Sequence, residues 1–75
     1  MKFEIGQIVE RTFKSIVGSG QWIFIVLGEG DRPQRLKLYC LKSPESVIIT
    51  HHKLAQQGEV LNYNTFYLRE YNYES

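Results

Sequence analysis

The sequence predicts a small all-β domain, a five-stranded antiparallel barrel with one short helix. Runs of β-branched and aromatic residues alternate with short segments that contain glycine or proline, and this pattern is typical of strands joined by tight turns. Seventy-five residues are enough for one domain, and 43% hydrophobic residues is a normal fraction for a folded chain. We therefore expect a single folded unit over residues 1–75.

The first predicted strand covers Gln7 to Val17, which is rich in Ile, Val, Thr and Phe. The segment Gly18–Gly20 has the length and composition of a three-residue hairpin connection, so this strand should pair with the next one. A symmetric connection would place Lys14 beside Phe24.

The same register gives the first strand a core face with Val9 and Phe13. Arg11 falls on that face too, and a buried charge is costly unless it is paired. Arg11 therefore needs an edge position or a partner.

Residues 21–42 predict a second hairpin. Six apolar residues, Trp22 to Leu27, lead into the turn-rich segment Gly28–Pro33, and an alternating run, Gln34–Lys42, follows. If the loop is symmetric, the core face holds Ile23, Ile25, Leu36 and Leu38. The opposite face then has Trp22 opposite Tyr39, Phe24 opposite Lys37 and Val26 opposite Arg35. A β-bulge in either strand would change this register.

The aromatic and basic residues of that opposite face define what we call the predicted platform, which consists of Lys14, Trp22, Phe24, Arg35, Lys37 and Tyr39. Nucleotide bases stack on exposed aromatic rings, at about 1–3 kcal/mol per base, while adjacent cations contact the phosphates. The platform therefore predicts binding of single-stranded DNA or RNA. The alternative is that Trp22 and Phe24 are needed in the core of so short a chain.

A short helix is predicted after this hairpin. Ser43 suits the N-cap, Pro44 the first helical position and Gly58 the end. In the alternative, residues 47–50, which are all β-branched, form a strand, and only residues 51–57 are helical.

The last two predicted strands, Glu59–Tyr63 and Thr65–Tyr73, are rich in tyrosine. Asparagines are interleaved with the tyrosines at positions 63, 67, 71 and 73. Tyrosine is favoured at protein interfaces, which supports an alternative function as an adaptor, inhibitor or small subunit that docks to a larger protein. The exposed edge of the last strand also suits a homodimer.

The order of these elements, over nearly the whole chain, resembles the OB-fold, a five-stranded barrel. This resemblance implies a binding face for single-stranded nucleic acid or oligosaccharide on the second and third strands, which here are the hairpin of residues 21–42. SH3-like barrels have the same length and strand number and are the competing resemblance. They bind proteins or nucleic acids, and an extended segment at residues 46–50 would favour them.

Charge does not decide between these functions. The net charge is +1, below what a dedicated nucleic-acid-binding domain usually carries. It is unevenly spread, because residues 32–53 hold five basic side chains and one acidic side chain, or +4, whereas residues 54–75 hold one basic and three acidic side chains, or −2.

Catalytic chemistry is not expected. Cys40 lies on the predicted core face, where a small buried thiol is more typical than a nucleophile. His51 and His52 would point about 100° apart on a helix and cannot easily share one ion. Gly28, Glu29 and Gly30 lack the GK[ST] of a phosphate loop. We expect no enzyme activity, no cofactor and no metal.

The predicted location is cytoplasmic. A single cysteine rules out an internal disulfide and suits a reducing compartment. The apolar run Trp22–Leu27 is far shorter than the roughly 20 residues that span a bilayer, and Glu4 and Glu10 argue against a signal peptide. No membrane partner is expected.

Overall fold

The computed structural model describes residues 2–16, 18–44 and 54–72, and it confirms the all-β class. The described residues form five strands and one short 3-10 helix: β1 Ile8–Ser15, β2 Gly18–Glu29, β3 Arg35–Lys42, β4 Val60–Asn64, the 3-10 helix Thr65–Tyr67 and β5 Arg69–Glu70. All pairings are antiparallel, and the sheet order is β4-β3-β2-β1-β5. The first four strands are therefore neighbours in chain order, and β5 returns to the free side of β1.

The second half of the chain departs from the prediction. Within the predicted strand Thr65–Tyr73, the described residues 65–72 contain a 3-10 helix followed by the two-residue strand β5. The predicted helix does not reach Gly58, because residues 54–56 are irregular and residues 57–58 form a turn. Residues 45–53, with His51, His52 and the alternative strand at 47–50, lie outside the described residues.

The β1–β2 connection is tighter than predicted. Ser15 pairs with Gly18, so the predicted loop residues 18–20 belong to β2 instead. Gly18 has a φ of 149°, which favours glycine and allows the chain to reverse there. Lys14 consequently pairs with Ser19, and its predicted position beside Phe24 is wrong. Phe24 instead lies opposite Val9.

The β2–β3 register also differs from the prediction. Phe24 lies opposite Cys40 and Val26 opposite Leu38, and the register shifts between Val26 and Gly28. This irregularity and an asymmetric loop change the offset between the strands by an odd number of residues. Such a change exchanges the two faces of a strand. The side of β2 that faces the core therefore carries Trp22, Phe24 and Val26.

The core lies on this face of the sheet. Trp22 is 1% exposed and Phe24 is 0% exposed, so both are fully buried. Phe13 packs against the indole with ring centroids 5.5 Å apart. Among the described residues, those that are buried are Phe3, Val9, Trp22, Phe24, Val26, Leu36, Leu38, Cys40, Ala55 and Leu68. The predicted inward positions of Val9, Leu36, Leu38 and Cys40 are correct, whereas Ile23 and Ile25 lie on the other face.

The outer face of the sheet is also partly apolar. Strand pairing aligns Ile8, Ile25, Tyr39 and Val60 in one row across four strands. Tyr39 and Val60 are exposed, and Ile25 is half-buried. Among the described residues, no helix is long and apolar enough to span a membrane.

Candidate functional site

The structure separates the six residues of the predicted platform. Trp22 and Phe24 lie in the core, so their rings cannot stack on a ligand. The predicted aromatic surface on β2 is therefore wrong, because the observed register places these two rings on the core side of the sheet. Lys14 is exposed near the end of β1. Arg35, Lys37 and Tyr39 remain together on the outer face of β3, as alternate residues of one strand.

Arg35 is already engaged within the protein. Its Nε lies 3.5 Å from Asp31 Oδ1, and its Nη2 donates a hydrogen bond to the carbonyl oxygen of Asn62 at 2.7 Å. Lys37 and Tyr39 are exposed beside it. The remaining part of the platform therefore offers one free cation next to one phenol ring.

A second aromatic surface lies around the 3-10 helix. The rings of Tyr63 and Tyr67 have centroids 5.8 Å apart, and Phe66 packs edge-on against Tyr67 at 5.4 Å. The Arg11 guanidinium lies 5.4 Å from the Tyr63 ring centroid and 4.8 Å from that of Tyr67. We call Arg11, Tyr63, Phe66 and Tyr67 the Arg11 cluster. Phe66 is 79% exposed and Tyr67 is 52% exposed, so most of this aromatic surface faces solvent.

The local sequence explains why these rings point outward. Asn64 caps the 3-10 helix, because its side-chain oxygen accepts a hydrogen bond from Phe66 N at 2.8 Å. Leu68 follows the helix and is buried in the core, which anchors the end of this turn. Thr65 N and Oγ1 both donate to the carbonyl oxygen of Gln34, at 2.9 and 3.1 Å. The helix is thus fixed at both ends, and Phe66 and Tyr67 between them remain exposed.

Arg11 has no polar acceptor in the described part of the chain. Its side chain is half-buried and makes two cation–π contacts but no hydrogen bond or ion pair there. The prediction that Arg11 must find a partner is fulfilled by two aromatic rings rather than by a carboxylate. The contact also joins β1 to β4, which are three positions apart in the sheet order, so the sheet is strongly curved.

Part of this cluster has a signal in the sequence. Tyr63 and Tyr67 belong to the tyrosine-rich segment that predicted a docking surface. Arg11 stood out as a charge on an otherwise apolar face. The sequence reasoning misses Phe66, because it predicts a strand over Thr65–Tyr73. The Asn64 cap is the signal that could have placed a turn there.

The cleft beside the β2–β3 loop and the Cys40 thiol are weaker candidates for a functional site. An open cleft of about 650 Å³ lies between Lys2, Thr65 and the β2–β3 loop, whose exposed tip contains Asp31 and Arg32. Burial raises the pKa of the Cys40 thiol, so it stays protonated at neutral pH, as expected for a core residue. Within residues 2–16, 18–44 and 54–72, no group of three or more His, Cys, Asp or Glu side chains is placed to hold a metal ion.

Comparisons of the chain with known protein families, with curated proteins and with solved structures found no match. The geometry of the Arg11 cluster is therefore the main indication of function.

Proposed function

We propose that this protein is a non-enzymatic binding module that docks to a segment of a partner protein through the Arg11 cluster. The observation that carries the proposal is the exposure of Phe66 and Tyr67, two adjacent aromatic side chains held outward by a capped turn. Aromatic residues and arginine are enriched at the centres of protein interfaces, where their burial supplies much of the binding energy. A surface of this composition in a small domain suits a protein partner.

The strand order supports an SH3-like barrel rather than an OB-like one. An OB-fold contains a Greek-key arrangement, in which the fourth strand of the motif returns to the side of the first. Here β4 lies beside β3, and β5 is the strand that returns to β1. SH3-like domains bind proteins or nucleic acids, so this assignment is compatible with docking and leaves the ligand to be decided by the site.

Local charge favours a protein over a nucleic acid. A strand of nucleic acid needs several cations along its path. Near the Arg11 cluster, Arg69 is paired with Glu10 at 3.8 Å and donates to Thr12 Oγ1 at 3.2 Å. Arg11 is then the one cation of the cluster, and the whole chain has a net charge of only +1.

Binding of single-stranded DNA or RNA is the second candidate function. The exposed rings of Phe66 and Tyr67 beside Arg11 combine a stacking surface with a positive charge, as such ligands require. Lys37 and Tyr39 on β3 offer a smaller surface of the same kind. The buried indole of Trp22 would not report either event, so a fluorescent label on the oligonucleotide is the appropriate probe.

The docking function can be tested with three single-residue variants. Phe66→Ala and Tyr67→Ala remove exposed rings of the cluster, and Tyr39→Ala removes an exposed ring on the outer face as a matched control. The immobilised chain is incubated with nuclease-treated cell extract, and stoichiometric partners are identified. We expect a partner that is retained by the Tyr39→Ala variant and lost from the other two.

The same variants separate docking from the alternatives. Fluorescence anisotropy of a labelled poly-pyrimidine oligonucleotide at low salt tests the second candidate, and light scattering of the purified chain tests a homodimer. Oligonucleotide binding that depends on Phe66 and Tyr67, with no protein partner, would replace the docking proposal. A partner whose binding is insensitive to both aromatic substitutions would exclude the Arg11 cluster as the docking surface.

A further inference from the structure

We infer that the Arg11 cluster binds an extended acidic peptide, with a carboxylate side chain on Arg11 and the peptide backbone paired along the free edge of β1. This inference rests on the proposed docking function and specifies the chemistry of the partner segment. Three features of the described residues carry it: a guanidinium of Arg11 with no polar acceptor among them, the two rings that hold it, and an edge of β1 that none of their strands covers.

Arg11 differs from the other arginines that frame the sheet. Arg35 is paired with Asp31, and Arg69 is paired with Glu10. Arg11 has no such acceptor among the described residues. Its nitrogens are not fully buried, because no fully buried side-chain nitrogen or oxygen of the described residues lacks a hydrogen-bond partner. The half-buried guanidinium therefore reaches solvent, and no acceptor among the described residues uses its N–H groups.

The two tyrosine rings prepare Arg11 for a carboxylate. They contact the guanidinium through cation–π interactions, which hold its position without using its N–H groups. A planar guanidinium can bind a carboxylate through two parallel hydrogen bonds, which a lysine ammonium cannot reproduce. Because the rings already hold the Arg11 guanidinium in place, less conformational entropy is lost when a carboxylate binds. Phe66, which packs against Tyr67, offers contact area for an apolar neighbour of the acidic residue.

Within the part of the chain that the structure describes, no strand covers the edge of β1 next to Arg11. β5 pairs only with Val9 and Glu10, so the rest of β1 up to Ser15 has no strand on that side among the described residues. The carbonyl oxygen of Ile8 accepts a hydrogen bond from Tyr71 N at 3.1 Å, which identifies Ile8 as a residue whose backbone faces this edge. Alternate residues of a strand face the same edge, so Thr12 and Lys14 present their N–H and C=O groups to a ligand.

An extended peptide can complete this edge by adding a strand. In that mode the main-chain hydrogen bonds give affinity, and alternate side chains give specificity. The edge lies beside the 3-10 helix, because the strand that follows the helix begins opposite Glu10. Glu10 itself is occupied by Arg69 and by Gln21, whose Nε2 donates to Glu10 Oε2 at 2.6 Å. Arg11 and the exposed Lys14 then leave this edge with an excess of positive charge, which favours an acidic peptide.

The test is a selection of random seven-residue peptides, displayed on phage, against the whole chain. We expect the enriched peptides to share an Asp or Glu next to an apolar residue. In synthetic, terminally blocked copies of the enriched peptides, replacing that Glu by Gln should weaken binding about tenfold, the size expected for charge-assisted hydrogen bonds. Arg11→Gln and Arg11→Lys should weaken the parent peptide by a similar factor, whereas Arg32→Gln, at an exposed loop arginine, should not change its affinity.

A backbone variant tests the paired edge separately. Lys14→Pro removes an N–H that faces the free edge, where proline is compatible with a strand, so the β1–β2 ladder is preserved. This variant should lose peptide binding, and Lys14→Ala should keep most of it. Unchanged Trp22 emission in every variant confirms that the core is intact, because the indole is buried.

Three outcomes would overturn the inference. Enriched peptides that lack acidic residues would exclude the carboxylate, and so would peptides that bind Arg11→Gln as tightly as the unmodified chain. The docking function would still hold in either case if Phe66→Ala abolished binding of these peptides. A failure to enrich any peptide, with Arg11-dependent binding of the labelled oligonucleotide, would reject both proposals in favour of nucleic acid.

Discussion

Replacing Gly30 with alanine should destabilise the fold, because the loop between β2 and β3 leaves no space for a methyl group. A Cβ at this position would lie 2.8 Å from both the carbonyl carbon and the oxygen of Arg35, and 3.0 Å from Asn62 Oδ1. The Arg35 atoms belong to the backbone and cannot rotate away. Gly30 N also donates to the Arg35 oxygen at 2.9 Å, and Asp31 N donates to Asn62 Oδ1 at 2.9 Å.

The expected loss follows from these contacts. An extra methyl group in a packed site costs about 1–3 kcal/mol, and weakening the two hydrogen bonds would add up to about 1 kcal/mol each. We therefore expect Gly30→Ala to lower the free energy of unfolding by about 2–4 kcal/mol. At about 0.05–0.15 kcal/mol per residue, a chain of 75 residues has a total stability of about 4–11 kcal/mol, so this loss is a large share of it.

Urea unfolding followed by Trp22 emission measures the effect, because the single tryptophan is buried in the folded state. With a slope of about 1 kcal/mol per M for so small a chain, the midpoint should fall by about 2 M or more. Gly28→Ala is the matched control, since a Cβ at position 28 meets no atom within 4 Å. The packing argument for the loop would fail if the two variants had the same midpoint.

Three further predictions concern the core and the 3-10 helix. Leu38→Ala should cost about 2–5 kcal/mol in urea unfolding, whereas Leu41→Ala, at an exposed position of the same strand, should change stability by less than about 0.5 kcal/mol. Burial raises the pKa of the Cys40 thiol in the folded state, so the unfolded chain loses this proton at a lower pH than the folded chain. The free energy of unfolding should therefore fall as the pH rises above about 8.5, the ordinary pKa of cysteine. Cys40→Ala should remove that part of the pH dependence. Asn64→Ala should lower the free energy of unfolding by about 1 kcal/mol, because it removes the hydrogen-bond acceptor for Phe66 N. Asn64→Asp keeps an acceptor and should retain most of that stability. Equal losses in the two variants would show that the cap is not the cause.

The sequence predicted the faces of β3 but not those of β2. In β3, apolar Leu36 and Leu38 alternate with Lys37 and Tyr39, and the structure has the first pair inside and the second outside, as predicted. The run Trp22–Leu27 is apolar at every position, so alternation gives no information about which side is buried. The register shift before Gly28 determines which face of β2 is buried, and the composition of the run does not predict this shift.

The candidate site could be predicted only in part. The tyrosine-rich segment and the isolated charge of Arg11 were both visible in the sequence, but they are 52 positions apart when Arg11 is compared with Tyr63. Their contact depends on the curvature of the sheet, which brings β1 and β4 together. The outward position of Phe66 depends on a local turn that its apolar character does not suggest.

The short length of β5 has a consequence for local unfolding. This strand is held by two residue pairs with β1, by the Tyr71–Ile8 hydrogen bond and by the buried Leu68. We expect its amide hydrogens to exchange with solvent through a sub-global opening, at a lower free energy than those of Phe24 or Cys40 in the central strands. Each such opening would lengthen the accessible edge of the first strand as far as Ile8, so a ligand that needs a longer contact can obtain it without unfolding the core.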